Sequence, residues 1–329
     1  MVRRSAFFLW LVPALAAAML TGCGGTKAPA PVSDVSATAT STISAAPTAT
    51  PTSTFPVTAK DQDGRPVTVA AQPKAIISFS PGVTEILFAI GAGPQVIAAD
   101  QFSDFPAEAK ALKTRVKYTN PDVESALALN PDLVVMSRAQ RTSVERFRSA
   151  GLPVFYAPEP DSLDAVVESV RMWGQLTGHP AEAERLAADM RARIEATKAK
   201  VAGVTEGPRA YYELSDSMFS VGDQSFIGAM LTLLKAKNVA TGATTAFPQL
   251  TAEAVISRDP QVIFLADAGP SAGGQSLETL KKRPGWTSIS AVKEGKVYPV
   301  NQDLGNRPGP RIVLGLEELG RLLYPELFR

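Results

Sequence analysis

The sequence predicts an α/β protein in which two Rossmann-like lobes, each with a parallel sheet, are joined by a single long helix. Three observations support this fold class. Short apolar runs alternate with amphipathic segments, as in βαβ units. A segment rich in Ala, Glu, Arg, Lys and Leu, from residue 181 to about 201, interrupts the alternation and has strong helix propensity. Residues 123–135 align without gaps on residues 252–264, either because the lobes are similar or because both converge on a common supersecondary unit.

The N-terminal lobe is expected at residues 57–179. Strands are predicted at its short apolar runs, which are residues 74–79, 95–99, 132–136 and 153–156. Helices are predicted around them, at residues 83–90, 120–130, 141–150 and 162–177.

The linker helix is expected at residues 180–203 and the C-terminal lobe at residues 204–329. The break Gly178-His179-Pro180 precedes the linker helix. In the second lobe the strand–helix alternation resumes at residues 210–214, 226–235, 261–265 and 296–300, and a final helix follows from about residue 310 to residue 323.

The N-terminus carries the features of an export signal. Arg3 and Arg4 precede an apolar stretch that is shorter than the ~20 residues of a spanning helix. The box Leu20-Thr21-Gly22-Cys23 then resembles a bacterial lipobox. Residues 1–22 are therefore predicted to be a lipoprotein signal peptide, and Cys23, the chain's single cysteine, is predicted to carry the lipid. The domain would lie outside the cytoplasm, on the bacterial cell membrane.

Residues 23–56 are rich in Thr, Pro and Ala and are predicted to be a disordered tether. The formal net charge of the whole chain is +1, and no basic run is interleaved with aromatic residues. Neither nucleic acid nor an anionic membrane surface is therefore implied as a partner.

Catalytic and metal-binding signals are missing from the sequence. His179 is the only histidine, so a transition-metal site lacks ligands. A Ser/His/acid triad would need His179 as its base, and that residue lies in the break between two predicted helices. No Gly-x-Gly-x-x-Gly follows the first strand, and there is no Walker loop. We expect no enzyme activity, no metal site and no cofactor.

Several motifs, in this order behind the lipobox, are similar to those of one family. They are an Asp-Gly hairpin at residues 61–69, the segment 78–93, Asn130-Pro131-Asp132 before a strand, and Arg307-Pro308-Gly309-Pro310-Arg311. The chain resembles the helical-backbone class of periplasmic binding proteins, which serve importers of vitamin B12, ferric siderophores and haem. The resemblance implies a rigid linker helix, a ligand cleft between the lobes, and a monomer that delivers its ligand to an ABC permease and its ATPase.

Loops after parallel strands are the expected ligand-binding positions, because ligands bind beyond the carboxyl ends of such strands. Aromatic rings with a few charged groups suit a large, flat, partly polar ligand. The candidate residues in these loops are Ser80, Pro81, Phe102, Phe105, Tyr118, Arg138, Phe219, Phe247, Asp267, Asp303 and Arg307.

The resemblance favours a corrinoid such as cobalamin. It implies that Asp303 and Arg307 meet the amide side chains of the corrin, and that Phe102 and Tyr118 stack on its ring. Ser137 stands where the B12-binding pattern has tryptophan, which is a departure from that pattern. A ferric siderophore or haem is the alternative, because arginines also bind anionic groups.

The resemblance also implies one permease-docking acid in each lobe. Glu85 is expected to be the first, on an outer surface of its lobe, and Asp223 or the neighbouring Gln224 the second. Two functions of another class remain open. One is an exported ligand-sensing domain, and the other is an exported α/β enzyme that uses Glu85, Asp100 or Asp104 as an acid–base carboxylate.

Overall fold

A computed structural model describes residues 55–269 and 273–329. The predicted signal peptide, Cys23, which is predicted to carry the lipid, and residues 24–54 of the predicted tether lie outside the described residues. In the described part, no helix combines the length and the apolar composition that a membrane span requires.

The N-terminal lobe is built on a five-stranded parallel sheet with the order β5-β4-β3-β6-β7, beside an antiparallel β1-β2 hairpin. Its strands are β1 (Val57–Lys60), β2 (Pro66–Val69), β3 (Ile76–Ser78), β4 (Val96–Asp100), β5 (Arg115–Val116), β6 (Leu133–Met136) and β7 (Val154–Tyr156). Its helices are α1 (Pro81–Ala89), α2 (Ala107–Lys110), α3 (Val123–Leu127), α4 (Arg141–Ser149) and α5 (Leu163–Thr177). Short 3-10 turns lie at Gly93–Gln95 and Arg138–Gln140.

The linker is the 21-residue helix α6 (Pro180–Lys200), about 30 Å long at 1.5 Å per residue. Gly178, in the left-handed conformation at φ 80°, ends α5, and Pro180 begins α6. Arg171 on α5 pairs with Glu184 on α6 at 2.6 Å.

The C-terminal lobe is built on a four-stranded parallel sheet with the order β11-β10-β8-β9. Its strands are β8 (Arg209–Glu213), β9 (Lys237–Asn238), β10 (Val262–Leu265) and β11 (Val297–Pro299). Its helices are α7 (Phe226–Leu233), α8 (Ala252–Arg258), α9 (Leu277–Lys281), α10 (Ser290–Glu294), α11 (Gln302–Gly305) and α12 (Ile312–Leu323), with a 3-10 turn at Trp286–Ser288. Two parallel sheets in two lobes confirm the predicted fold class.

The internal sequence match corresponds to a repeated structural unit. Asp122 caps α3 by accepting a hydrogen bond from the backbone N–H of Ser125, and Thr251 caps α8 in the same way. The match aligns Asn130 with Asp259, and both adopt positive φ, at 44° and 42°. Each unit then enters the strand of its own sheet, β6 or β10.

The two lobes share apolar packing. One cluster of buried residues runs from α1 through α5 and α6 to α7 and α12. Separating the lobes would expose part of this cluster to water, so their packing opposes large changes in the distance between them.

Candidate functional site

A cleft of about 940 Å³ lies at the carboxyl ends of the strands. Loops that follow all five strands of the N-terminal sheet contribute to its wall, because the carboxyl ends of parallel strands share one edge. The C-terminal lobe supplies the opposite wall from the loops after β8, β9 and β11. The cleft-lining residues are Ser80, Pro81, Gly82, Phe102, Asp104, Tyr118, Ser137, Arg138, Ala139, Glu159, Phe219, Phe247, Gln302, Asp303, Asn306, Arg307 and Pro308.

Most residues that the sequence nominated for ligand binding lie together in this cleft. Those that line it are Ser80, Pro81, Phe102, Tyr118, Arg138, Phe219, Phe247, Asp303 and Arg307. Asp267 and Phe105 do not line it.

Aromatic rings stand on both walls of the cleft. In the N-terminal lobe, Phe102 meets Tyr118 edge-to-face, with 5.3 Å between ring centroids. In the other lobe, Phe219 is 41% exposed, and the Phe247 ring lies 5.4 Å from the guanidinium carbon of Arg138 across the cleft. Exposed aromatic side chains on facing walls leave apolar surface for a flat ligand.

The loops of the N-terminal wall are fixed by polar contacts. Ser80 caps α1 by accepting from the backbone N–H of Val83. Asp100 accepts hydrogen bonds from the Phe102 backbone N–H at 2.8 Å and from the Ser103 hydroxyl at 2.6 Å. Burial raises the pKa of Asp100 despite these bonds.

A second set of bonds holds Tyr118. The side chain of Gln140 donates to the Tyr118 carbonyl at 2.8 Å and accepts from the Ser137 hydroxyl at 2.9 Å, so it ties two strand-end loops together. Burial, and next the Asp100 carboxylate, raise the pKa of Tyr118, which keeps its phenol neutral.

Five charged residues form a cross-lobe ion cluster at one side of the cleft: Glu85, Asp104, Asp303, Arg307 and Arg311. Arg311 donates to both carboxylate oxygens of Glu85, from Nε at 2.8 Å and from Nη2 at 2.6 Å. Arg307 Nη1 donates to Asp104 Oδ1 at 2.8 Å, and Nη2 lies 2.7 Å from Asp303 Oδ1. The cluster therefore joins charges of the N-terminal lobe to arginines of the C-terminal lobe.

The expectation that Glu85 lies on an exposed outer surface is wrong. Its side chain is only 2% exposed, because α1 packs against the segment at 307–311 of the other lobe. Gly82 permits this approach: a Cβ at that position would lie 3.0 Å from the Pro308 carbonyl oxygen. In this conformation two arginines contact the buried Glu85 carboxylate, so its surface is not available to a permease.

Phe105 has a place beside this cluster. The guanidinium carbon of Arg311 lies 3.9 Å from the centroid of the Phe105 ring, which is a cation–π contact. Phe105 therefore packs on the charges behind the cleft.

The expectation that Asp267 faces the cleft is also wrong. Asp267 is fully buried below the C-terminal loops, and its backbone carbonyl accepts from Gln275 N–H at 3.1 Å. Both carboxylate oxygens lack a hydrogen-bond donor among the described residues. Burial, and next the negative charge of Glu213, raise the pKa of Asp267 to about 7. Arg283 holds Glu213 through two hydrogen bonds of 2.7 Å.

Asp223, the expected docking acid of the second lobe, is exposed. Its two oxygens accept hydrogen bonds from Asn238 Nδ2 at 2.9 Å and Thr241 Oγ1 at 2.6 Å. The neighbouring Gln224 is exposed as well.

Several cleft residues were not nominated as ligand-binding residues by the sequence. Glu159 follows β7, so the strand-end rule itself would have found it. Asp104 was considered only as an acid–base group. Asn306 accepts a hydrogen bond from the buried hydroxyl of Tyr212 at 2.9 Å, and no sequence signal marks that contact. Within the described residues, no group of three or more His, Cys, Asp or Glu side chains has the geometry to hold a metal ion.

Comparisons with known proteins agree on one family. The sequence profile of the family described as Periplasmic binding protein matches residues 76–304. The chain is 32% identical to an uncharacterized ABC transporter substrate-binding lipoprotein of Bacillus subtilis, YvrC, over 98% of each chain. It is 30% identical to the cobalamin-binding protein of Halobacterium salinarum, over 79% of this chain and 72% of that protein. The periplasmic haem-binding protein RhuT of Roseiflexus sp. superposes with a TM-score of 0.68 at 27% identity, over 77% of this chain and 99% of that one.

Proposed function

Because this chain belongs to the periplasmic binding protein family, we propose that its cleft captures a corrinoid and delivers it to the permease of an ABC importer. The family membership that the motifs predicted is confirmed. The chain is thus a substrate-binding protein of an ABC transporter, of the type that serves B12, haem or siderophores, and it is not an enzyme. The acid–base roles considered for Glu85, Asp100 and Asp104 therefore do not apply.

The observation that carries the corrinoid proposal is the combination of aromatic walls with carboxylates in one cleft. Phe102 and Tyr118 face Phe219 and Phe247 across it, which suits a broad, flat macrocycle. Asp104, Glu159 and Asp303 supply acceptor oxygens at the cleft wall, and the amide side chains of a corrin are donors. The cobalamin-binding relative supports this ligand class.

Haem is the alternative ligand, because one structural neighbour is a haem-binding protein. Tyr118 lines the cleft, and tyrosine is one of the residue types that ligate haem iron. The corrinoid remains the proposed ligand, because its cobalt does not need a ligand from this wall.

Parallel calorimetric titrations with cyanocobalamin, haemin and a ferric catecholate siderophore test the ligand. We expect saturable binding of cyanocobalamin and none, or much weaker binding, of the other two. Binding of haemin or the siderophore without binding of cyanocobalamin would reject the corrinoid proposal and leave the transport role in place.

We also propose that diacylglycerol on Cys23 anchors the protein to the bacterial cell membrane, outside the cytoplasm, after residues 1–22 are removed. The lipobox motivates this, and the lipoprotein name of the Bacillus relative supports it. Cys23→Ser should move the protein from the membrane fraction to the soluble extracytoplasmic fraction. Retention of the variant on the membrane would place the anchor elsewhere.

The permease contact needs new candidate residues, because Glu85 is buried. The repeated unit offers a matched pair: Glu124 in the first turn of α3 and Glu253 in the first turn of α8. Both are exposed, and the internal sequence match aligns them. Both helices begin at the edge of their sheet that bears the cleft, so each lobe presents one acid beside the cleft mouth.

We therefore propose that Glu124 and Glu253 dock onto basic residues of the permease, one from each lobe. The double variant Glu124→Ala and Glu253→Ala should keep ligand affinity but slow association with the permease, with reduced salt dependence. Glu195→Ala, on the exposed face of α6, is the matched control. Asp223→Ala tests the original candidate, whose two oxygens already accept hydrogen bonds within its own lobe. Normal association of the double variant would exclude the pair.

A further inference from the structure

The cleft carries more negative than positive side chains. Its charged lining residues are Asp104, Glu159, Asp303, Arg138 and Arg307, so carboxylates outnumber guanidiniums by one. Glu85 and Arg311 lie behind the lining and neutralise one another. A site built to bind an anion would show the opposite balance.

The arginine that reaches the cleft is already paired. The side chain of Arg307 is only 15% exposed, and carboxylates occupy both of its terminal nitrogens. Asp104 and Asp303 are 47% and 34% exposed at the side chain, so each presents free acceptor surface to the cleft. Although partial burial opposes ionisation, the hydrogen bond from Arg307 lowers the pKa of Asp104 and keeps it charged.

From this geometry we infer that Asp104 is a specificity-determining residue: it neutralises Arg307 and selects a ligand with amide groups over the same ligand with carboxylates. The inference rests on the proposed corrinoid function and adds a chemical rule to it. Arg307 has two partners from the N-terminal lobe, Glu85 and Asp104, and of these Asp104 lines the cleft. Asp104 therefore also helps to position Arg307 between the walls.

The selection follows from hydrogen-bond roles. A primary amide can donate to the free oxygens of Asp104 or Asp303 while Arg307 stays paired. A carboxylate in the same position would meet two carboxylates, and the arginine beside them already pairs with a carboxylate at each of its two terminal nitrogens. Asn at position 104 keeps an acceptor for Arg307 but removes the charge that repels an anionic group.

The test compares cyanocobalamin with its isomeric monocarboxylic acids, in which one corrin propionamide is hydrolysed to propionate. Affinities are measured by calorimetry for the wild type, Asp104→Asn and the control Asp189→Asn, an exposed position on α6. We expect the wild type to bind at least one acid isomer about tenfold more weakly than cyanocobalamin. In Asp104→Asn that ratio should fall about threefold or more, and in Asp189→Asn it should not change.

The ratio separates selection from structural damage, because a loosened cleft would weaken amide and acid alike. An unchanged ratio in Asp104→Asn, or equal wild-type affinity for the amide and every acid isomer, would overturn the inference and leave the corrinoid proposal standing. Failure of the proposed function looks different, since the wild type would then bind neither cyanocobalamin nor its acids, and the inference would fall with it.

Discussion

Two buried carboxylates, Glu85 in the N-terminal lobe and Asp267 in the C-terminal lobe, differ in whether an arginine contacts them. Glu85 has two arginines within ion-pair distance, from the opposite lobe. Asp267 lies beside a second buried carboxylate, Glu213, and the one arginine there, Arg283, bonds Glu213. Where arginines contact the buried carboxylate directly, charge can join the lobes. Where the nearby arginine is bound by a neighbouring carboxylate, a proton takes the place of the missing charge.

Removing the Glu85 carboxylate should have the largest effect on the free energy of unfolding. Glu85→Ala leaves Arg311 and part of Arg307 unpaired in a buried position, which typically costs about 3–5 kcal/mol. We expect a loss of this order in the free energy of unfolding measured with urea. Glu278→Ala, which breaks an exposed pair with Lys281, should change it by under about 0.5 kcal/mol. A Glu85 variant as stable as that control would mean that the cluster does not hold the lobes.

The buried Asp267 should make the free energy of unfolding depend on pH. The pKa of Asp267 is about 7 in the folded chain and about 4 in an unfolded one, so the folded chain binds the proton more tightly. The resulting stabilisation is complete below pH 4 and is lost as the pH rises to 7. Asp267→Asn cannot lose a proton, so we expect it to gain about 2–3 kcal/mol over the wild type between pH 5 and pH 8.

Urea unfolding across this pH range checks the effect, with Asp189→Asn as the control that should keep the wild-type slope. If Asp267→Asn retained that slope as well, the titrating group would have to be sought elsewhere.

The sequence predicted the lobes and the cleft because both follow from local patterns. Apolar runs locate the strands, and the strand-end rule locates the loops that converge at one sheet edge, as Ser80, Arg138 and Phe219 do. The rule also nominated Asp267 and failed there. It gives the edge of the sheet at which a residue lies, and not whether a later loop, here the one that includes Gln275, folds over it.

Glu85 failed for a related reason. The sequence predicts Glu85 near the start of a helix, where the helix dipole favours an acid on any exposed surface, but α1 begins at Pro81 and has no acid in its first turn. The sequence also does not show what covers that surface. The covering segment is 222 residues away along the chain, at Arg307. The sequence identified Glu85 and Arg307 as separate candidates, but the contact between them depends on the tertiary structure.

The smallest expected effect is on ligand affinity and concerns Arg307. Truncation to Ala leaves Asp104 and Asp303 facing each other without a cation, but Arg311 still holds Glu85, so the lobes should stay joined. We expect cyanocobalamin affinity to fall by about 1–2 kcal/mol, roughly five- to thirtyfold, because the two carboxylates lose the group that orients them. Arg185→Ala, an exposed position on α6, should leave affinity unchanged.

The free energy of unfolding of Arg307→Ala should drop less than that of Glu85→Ala, because the buried ion pair between Arg311 and Glu85 survives. Unchanged affinity in Arg307→Ala would remove that residue from the site, and a stability loss equal to that of Glu85→Ala would show that Arg307, rather than Arg311, carries the cross-lobe attachment.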